Sequence, residues 1–586
     1  MKTLPLPTLS SAIERLTYWI SPLLEESVLE KTTQAVERFT KQDGEALYHA
    51  LEVQAAAKAP DSWLIDIWRR QFLTERDSLP LTNSNATMQI DWHAPQQGLK
   101  RVAHFIIAMA HVHRQYEQDA IASQAFLDQK GQALCLAQWE VLRGADRRPA
   151  SHKDELQIQE NEGKQKRHII VLYRGYAWKV SLMDEKGNIA NPAQLENVLY
   201  ELVQVTTTNN DIPFTAPSIL DNETALEVRA QLVSRDENSR IIQLVKSAWF
   251  IVSINTHHYS DTAETFFDAA FGQGNNFWAY KPINYCCYVK DNRIFVHFDR
   301  SHIDPAALED MIALGQTQFN QKPFKRKNQL PEDLSMSAIN WTIDGQKNNG
   351  NTREFIGTFK TIYDGLGEYQ RRTQAFMVTL YDVFMTDEEQ RLLRDYNNAG
   401  IIQILLQYAQ LNVYGEVRNT SEMIDMRHFL NGRIDIIPTV TKDSLECVQA
   451  IFDNENTIDL LRNAVNAYNK RYALAKNGGG IYGFWFAMQY MAEVQGLEVP
   501  LFQDKGILSL TRPFITTIGC GENPIGGHIV FPPADPDGLT ISYRSGRNYC
   551  NFVLTHRRSK INEVEKFTRA IGSGLKQILL MLREMA

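Results

Sequence analysis

His168-Ile-Ile-Val-Leu-Tyr-Arg-Gly-Tyr-Ala-Trp-Lys-Val-Ser-Leu182, continuing through Met183-Asp-Glu-Lys-Gly-Asn-Ile-Ala-Asn-Pro-Ala-Gln-Leu-Glu-Asn-Val-Leu199, is the stretch on which the fold turns. His168–Leu172 and Tyr176–Leu182 are two β-rich runs, and Arg174-Gly175 between them is a hairpin signal. Asn191-Pro192 then opens a helix carrying Leu195, Val198, Leu199 and Leu202 at helical spacing. Strand, turn, strand and helix within one short segment predict a sheet covered by helices.

The same grammar extends outward. Ile283–Val289 and Arg293–Phe298 read as two more strands joined by Lys290-Asp291-Asn292, and a helix runs from Pro305 through Leu314, with proline in its first turn. Toward the N-terminus, Ile13, Leu16, Ile20, Leu23 and Leu24 recur at helical spacing behind Ser10 and Ser11. Further helices cover Leu29–Phe39, the segment holding Trp63, Ile67 and Trp68, and Leu99 to Tyr116. Leu79–Asn85 reads as a loop. Residues 150–167 read as an exposed polar linker and 319–332 as an interdomain connection. About Asn562–Glu584 is a long amphipathic helix. The mixture predicts an α/β (α+β) chain with mixed sheets.

The 586 residues permit about three domains or two large ones. With 61 Lys+Arg against 69 Asp+Glu the net charge is −8, which speaks against a generally basic nucleic-acid binder. The six cysteines have no C-x-x-C or Cys/His zinc spacing, so reduced, mostly buried thiols of a cytoplasmic protein and no metal site are expected. The N-terminus lacks an apolar signal core, and no run reaches the ~18 apolar residues a membrane span needs.

Common catalytic and phosphate-binding motifs are absent. Gly478-Gly479-Gly480 reads as a hinge or turn. His104, His111 and His113 share a helix without further ligands. His257-His258 precedes Asp261 one residue too closely for an H-H-x-x-x-D signature, and a loop is the better reading. His302, in Phe298-Asp-Arg-Ser-His-Ile-Asp304, sits between a strand and a helix. There an imidazole can be held in one tautomer and aimed as a general base. The alternative is a turn histidine beside the helix start, and the residues alone favour it.

A colinear series nevertheless resembles the choline/carnitine acyltransferase family. It comprises LPTLSSAIERLTYWISPLLEES, APDSWLIDIWRR, DSLPLTNSN, the quoted 168–199 segment, GQGNNFWAYKP, NRIFVHFDRSHIDP, YGEVRNTSEMIDMRHFLNGRIDI and DGLTISYRSGRNYCNFVLTHRRS. The resemblance implies two halves like chloramphenicol acetyltransferase, each a mixed sheet flanked by helices, with a tunnel between them. We place one half at 1–94 plus 346–586 and the other at 95–345, the second carrying the catalytic-type turn. In the family a histidine takes the proton of an acceptor hydroxyl, which attacks a thioester carbonyl.

The functional positions of the family are rewritten here. Its turn reads roughly Glu-His-Ser-x-x-Asp-Gly, so the gapless match puts Arg300 at the histidine and leaves His302 two residues on. Arginine stays protonated and is no base. The Thr-Tyr-Glu-Ser stretch has become Thr420-Ser421-Glu422-Met423, and the Gly-Arg-Thr-x-Thr-x-Arg stretch has become Gly432 to Pro438, with Ile434 and Ile436 for its threonines. Apolar side chains there disfavour carnitine's carboxylate. Arg391 and Arg394 remain to meet coenzyme A phosphate, opposed by Asp395. Ser509 and Thr511 remain of the oxyanion hydroxyls.

Three readings follow. The first is a diverged acyltransferase taking a thioester of coenzyme A or a carrier protein to a small hydroxyl or amine acceptor other than carnitine. It uses His302, Ser509 and Thr511 as catalytic residues, Arg300, Ser421, Ile434 and Ile436 around the substrate, and no resident cofactor. The second is an inactive family member that binds a ligand or protein. The third is a condensation-type catalyst in which Arg300 steers a phosphopantetheine phosphate. The family also implies a monomer.

Overall fold

The computed structural model describes residues 1–584 except 123–125, 129, 160–166, 185, 322–333, 344–345, 350–351, 356, 456–457, 522–524 and 547. It has two compact units. One comprises Met1–Trp68, Thr379–Glu522 and Pro532–Ala586, the other Arg69–Val378 and Asn523–Phe531. The sequence-based cuts at 94/95 and 345/346 fall elsewhere because strand Asn85–Ile90 and helix Thr358–Thr373 pack with the second unit.

The second unit is built on an eight-stranded mixed sheet. Its order is Gly526–Val530, Asn85–Ile90, Arg293–Asp299, Asn284–Tyr288, Ile251–Asn255, His168–Tyr173, Tyr176–Ser181 and Met336–Ile339. The hairpin forms as its turn residues dictate: Arg174 and Gly175 have φ of +50° and +79°, and Tyr173 faces Tyr176. Paired left-handed residues give the twist that joins two strands tightly. Helix Pro192–Val205 starts on a capping box between Asn191 and Gln194, with Pro192 in the first turn. Strand Ile251–Asn255 runs parallel to both its neighbours, and Asn284–Tyr288 returns antiparallel into Arg293–Asp299. Cys286 and Cys287 lie on opposite faces of that central strand, both buried, and all six cysteines are free thiols.

The first unit carries a six-stranded sheet, in order Phe376–Phe384, Tyr549–Arg557, Leu539–Ser545, Ile515–Gly519, Thr420–Asp425 and Ile434–Pro438. Helix Ile561–Glu584 buries Val564, Phe567, Ile571, Leu575, Ile578 and Leu582 along one face against helix Asn398–Tyr414. That i, i+3/i+4 spacing is the amphipathic stripe read from the sequence. The glycine run is a turn: Gly478 has φ +83° between helices Ile458–Leu474 and Tyr482–Gln495.

A further sequence expectation changes. Residues 150–167 are not wholly an exposed linker, since Asp154 is 1% exposed and Glu155–Ile158 pairs as a strand with Ala145–Arg148. Most of the proposed connection at 319–332 lies outside the described residues. Among the described residues no helix is long and apolar enough to cross a membrane, and no cluster of His, Cys, Asp and Glu suits a metal.

The first unit also buries a carboxyl group that the sequence reading left unassigned. Glu422 accepts hydrogen bonds from the Tyr468 hydroxyl (2.6 Å), from Tyr543 and from Gln403 Nε2 (3.4 Å). Burial pushes its pKa up to about 7, against the lowering pull of the two phenols. A carboxyl raised on folding gives stability that is complete below its unfolded pKa and lost as pH climbs through its folded pKa. We therefore expect a lower Tm at pH 8 than at pH 6, and a smaller difference in Glu422→Gln. An undiminished difference in that variant, measured by thermal melts, contradicts the assignment. Asp435, raised to about 7 by burial, retains part of the slope.

Candidate active site

The sheet delivers strand Arg293–Asp299 into a tight turn and then into helix Pro305–Gln321. Asp299 organises the turn. Its Oδ1 accepts from the Ser301 amide (2.8 Å) and the Ser301 hydroxyl (2.7 Å), and its backbone carbonyl accepts from the amides of His302 (3.1 Å) and Ile303 (3.2 Å). An aspartate closing a turn on its own downstream amides is the usual local competitor to continued strand. The Asp304 amide donates to Gln138 Oε1 at 2.7 Å.

This turn brings His302 Nδ1 to 3.2 Å from Asp299 Oδ2. His302 is 1% exposed and Asp299 is fully buried. Behind them Arg147, also fully buried, sets NH1 3.6 Å from Asp299 Oδ1 and donates from Nε to Asp154 Oδ2 at 2.7 Å. Its NH2 donates to the Phe72 carbonyl at 2.6 Å. Asp154 is held in turn by Arg76 (3.1 Å) and Asn222 (3.2 Å).

Electrostatics fix the imidazole's state. Burial works to raise the Asp299 pKa, but Arg147, His302 and Ser301 outweigh it and hold the group below the usual carboxylate range. An ionised carboxylate only accepts, so the proton of a neutral imidazole sits on Nδ1. Burial pushes the His302 pKa down, opposed by Asp299 and aided by Arg69 and Arg147, so the ring is neutral at pH 7. Nε2 then carries a lone pair, and it has no hydrogen-bond partner among the described residues. A neutral, oriented imidazole with an unengaged nitrogen is equipped to accept a proton.

Arg300 points elsewhere. Its guanidinium carbon lies 5.0 Å and 5.2 Å from the ring centroids of Phe72 and Phe531, NH1 donates to the Asn83 carbonyl at 3.0 Å, and the residue is 3% exposed. Both rings present their faces to the cation.

The remaining candidates lie in the first unit. Ser509 and Thr511 sit on helix Lys505–Thr511, where their hydroxyls donate to the carbonyls of Gly506 (2.7 Å) and Ile507 (3.1 Å). An oxyanion role requires each hydroxyl to leave its helix carbonyl. Ser421 is buried, with Oγ 3.4 Å from Asn419 Nδ2, and the same amide donates to the Ser509 carbonyl at 2.5 Å. Ile434 and Ile436 lie two apart on strand Ile434–Pro438, and so on one face of it. Ile434 lines a cavity of about 30 Å³ beside Trp63 and Trp68. Arg391 and Arg394 edge a surface cleft of about 490 Å³ with Arg462 and Asn469, and Arg394 Nε is 3.7 Å from Asp395.

Other buried histidines lie in the same unit, and His113 also leaves its Nε2 without a hydrogen-bond partner among the described residues. His113 Nδ1 bonds the Leu142 carbonyl at 2.8 Å, and burial drives its pKa to about 3. His297 lies flat on Phe277 with Thr87 and Asn85 at its two nitrogens. Sequence reading found His302 but not the Arg147–Asp154 support, because nothing local marks two residues so distant in the chain.

The family model for choline/carnitine O-acyltransferases matches residues 4–573, and the chain belongs to that family of acyltransferases. Carnitine O-palmitoyltransferase 2, mitochondrial, of Bos taurus is 22% identical over 98% of this chain and 91% of its own. Carnitine O-acetyltransferase of Columba livia is 20% identical over 94% and 88%. Among solved structures, a trichothecene 15-O-acetyltransferase of Fusarium sporotrichioides aligns over 88% of this chain and 94% of that one, with a TM-score of 0.42 and 10% identity.

Proposed function

We propose that this protein transfers an acyl group from a thioester, of coenzyme A or of a carrier protein, to a hydroxyl or amine acceptor other than carnitine, with His302 as the general base. One observation carries the reading: the buried imidazole whose Nδ1 is held by Asp299 and whose Nε2 has no hydrogen-bond partner among the described residues. In the reaction Nε2 takes the acceptor's proton as the acceptor oxygen or nitrogen bonds to the acyl carbon. The carbon–sulfur bond then breaks, and the imidazolium returns the proton to the departing thiolate. Asp299, kept ionised by Arg147, stabilises the imidazolium between the two steps. The exclusion of carnitine rests on Ile434 and Ile436, which offer no polar group to a carboxylate.

A second reading has its own observation. Arg300 stands where the family's histidine is expected and is occupied by Phe72, Phe531 and Asn83. On that reading the scaffold binds a ligand and His302 is a structural turn residue. Incubation with coenzyme A esters of short, medium and long chains, and with acyl-loaded carrier protein, separates the two. We expect thiol release that depends on an added alcohol or amine. No release with any donor and acceptor pair favours the binding module.

A further inference from the structure

The second unit has a polar cleft of about 430 Å³ among Tyr173, Arg174, Asn209, Asn255, His257 and Lys290. Its position follows from topology. Strands His168–Tyr173, Ile251–Asn255 and Asn284–Tyr288 are the parallel trio of the sheet, and the cleft gathers Tyr173, Asn255 and Lys290 from their carboxyl ends. In open sheets with parallel strands, ligands bind in the crevice outside those ends. The volume is within the range of small-molecule sites.

Its chemistry is one-sided. Arg174 brings a guanidinium, Lys290 an ammonium and His257 an imidazole. Asn209, Asn255 and Asn275 contribute amides, and no carboxylate lines the cleft among the described residues. The nearby carboxylate of Asp291 is taken by His258. Arg174 is positioned by the hairpin turn, where its NH1 donates to the Thr207 carbonyl and its guanidinium carbon lies 5.5 Å from the Tyr173 ring. Lys290 Nζ has no ion pair or hydrogen bond among the described residues. A lysine left unpaired beside a fixed arginine and a fan of amides is a receptor for oxyanions.

The cleft is separate from the His302 turn. Asn284–Tyr288 and Arg293–Asp299 are antiparallel, so Lys290 lies at one end of the seven-residue strand and His302 follows the other. That strand spans roughly 20 Å.

We propose that this cleft binds the phosphate or diphosphate group of a polar small molecule, at a site distinct from the His302 turn and independent of whether that turn is catalytic. Calorimetric titration of the full chain with inorganic pyrophosphate tests it. The expected result is saturable binding that weakens as sodium chloride is raised. Lys290→Gln and Arg174→Gln should each weaken it about tenfold, the scale of one lost charge-assisted hydrogen bond, and Lys290→Arg should restore it. Lys290 is exposed and has no ion pair among the described residues, so its substitution leaves the thermal melt unchanged. Absence of saturable binding, or the same Kd in Lys290→Gln and Arg174→Gln as in the parent, overturns the proposal.

Discussion

His302→Gln lowers the rate of acyl transfer by about 10²- to 10⁴-fold, the contribution of a positioned general base, while the protein stays folded. Glutamine is a neutral polar side chain of similar length, and Asp299 keeps Arg147 and the Ser301 amide and hydroxyl, so the turn loses little. What glutamine cannot supply is the basic lone pair now on Nε2. The loss should therefore fall on kcat, with KM for the thioester nearly unchanged, and the circular-dichroism melt should move only slightly. A variant within about threefold of the parent rate removes His302 from the chemistry, because general-base catalysis is worth far more than that.

Arg147→Met produces the largest stability loss. Arg147 is the cation between two buried carboxylates, 2.7 Å from Asp154 and 3.6 Å from Asp299. Methionine fills much of the volume but leaves Asp299 ionised without its main counter-charge, and it abandons the Phe72 carbonyl. Breaking a buried ion pair from one side costs about 3–5 kcal/mol, against a total of about 5–15 kcal/mol for a typical domain. Urea unfolding should show the midpoint falling sharply at pH 7. Part of the loss should return at pH 5. Without Arg147 the Asp299 pKa rises on folding, and a raised carboxyl adds stability below its folded pKa. A midpoint unchanged at pH 7 means the triad is not a unit.

The sequence disclosed these features unevenly. The hairpin at 168–181 was readable because apolar runs flank an Arg-Gly pair that accepts positive φ. Helix 192–205 was readable because Asn-Pro-x-Gln is a start signal with a mechanism. Strand Asn85–Ile90 was not, since Asn-Ala-Thr-Met-Gln-Ile alternates weakly. It is a strand because Arg293–Asp299 and Gly526–Val530 pair on its two sides. Tertiary pairing overrode a weak local preference. At the site, the Asp299–His302 relation spans one turn and could be read locally. Asp154 was hidden in a polar stretch, since charge alone does not separate a solvated carboxylate from one buried on an arginine. Arg300 was legible as a departure from the family pattern, but its two phenylalanine neighbours come from chain segments far from it.

Whether the rewritten turn still presents a working base is decided by the pH dependence of kcat/KM for the most active thioester–acceptor pair. The base must be neutral, and burial holds the His302 pKa below the ordinary 6.5. The rate should fall on the acid side with a midpoint below 6.5, and this limb should be abolished in His302→Gln. A limb at or above 6.5, or the same profile in the variant, contradicts His302 as the base.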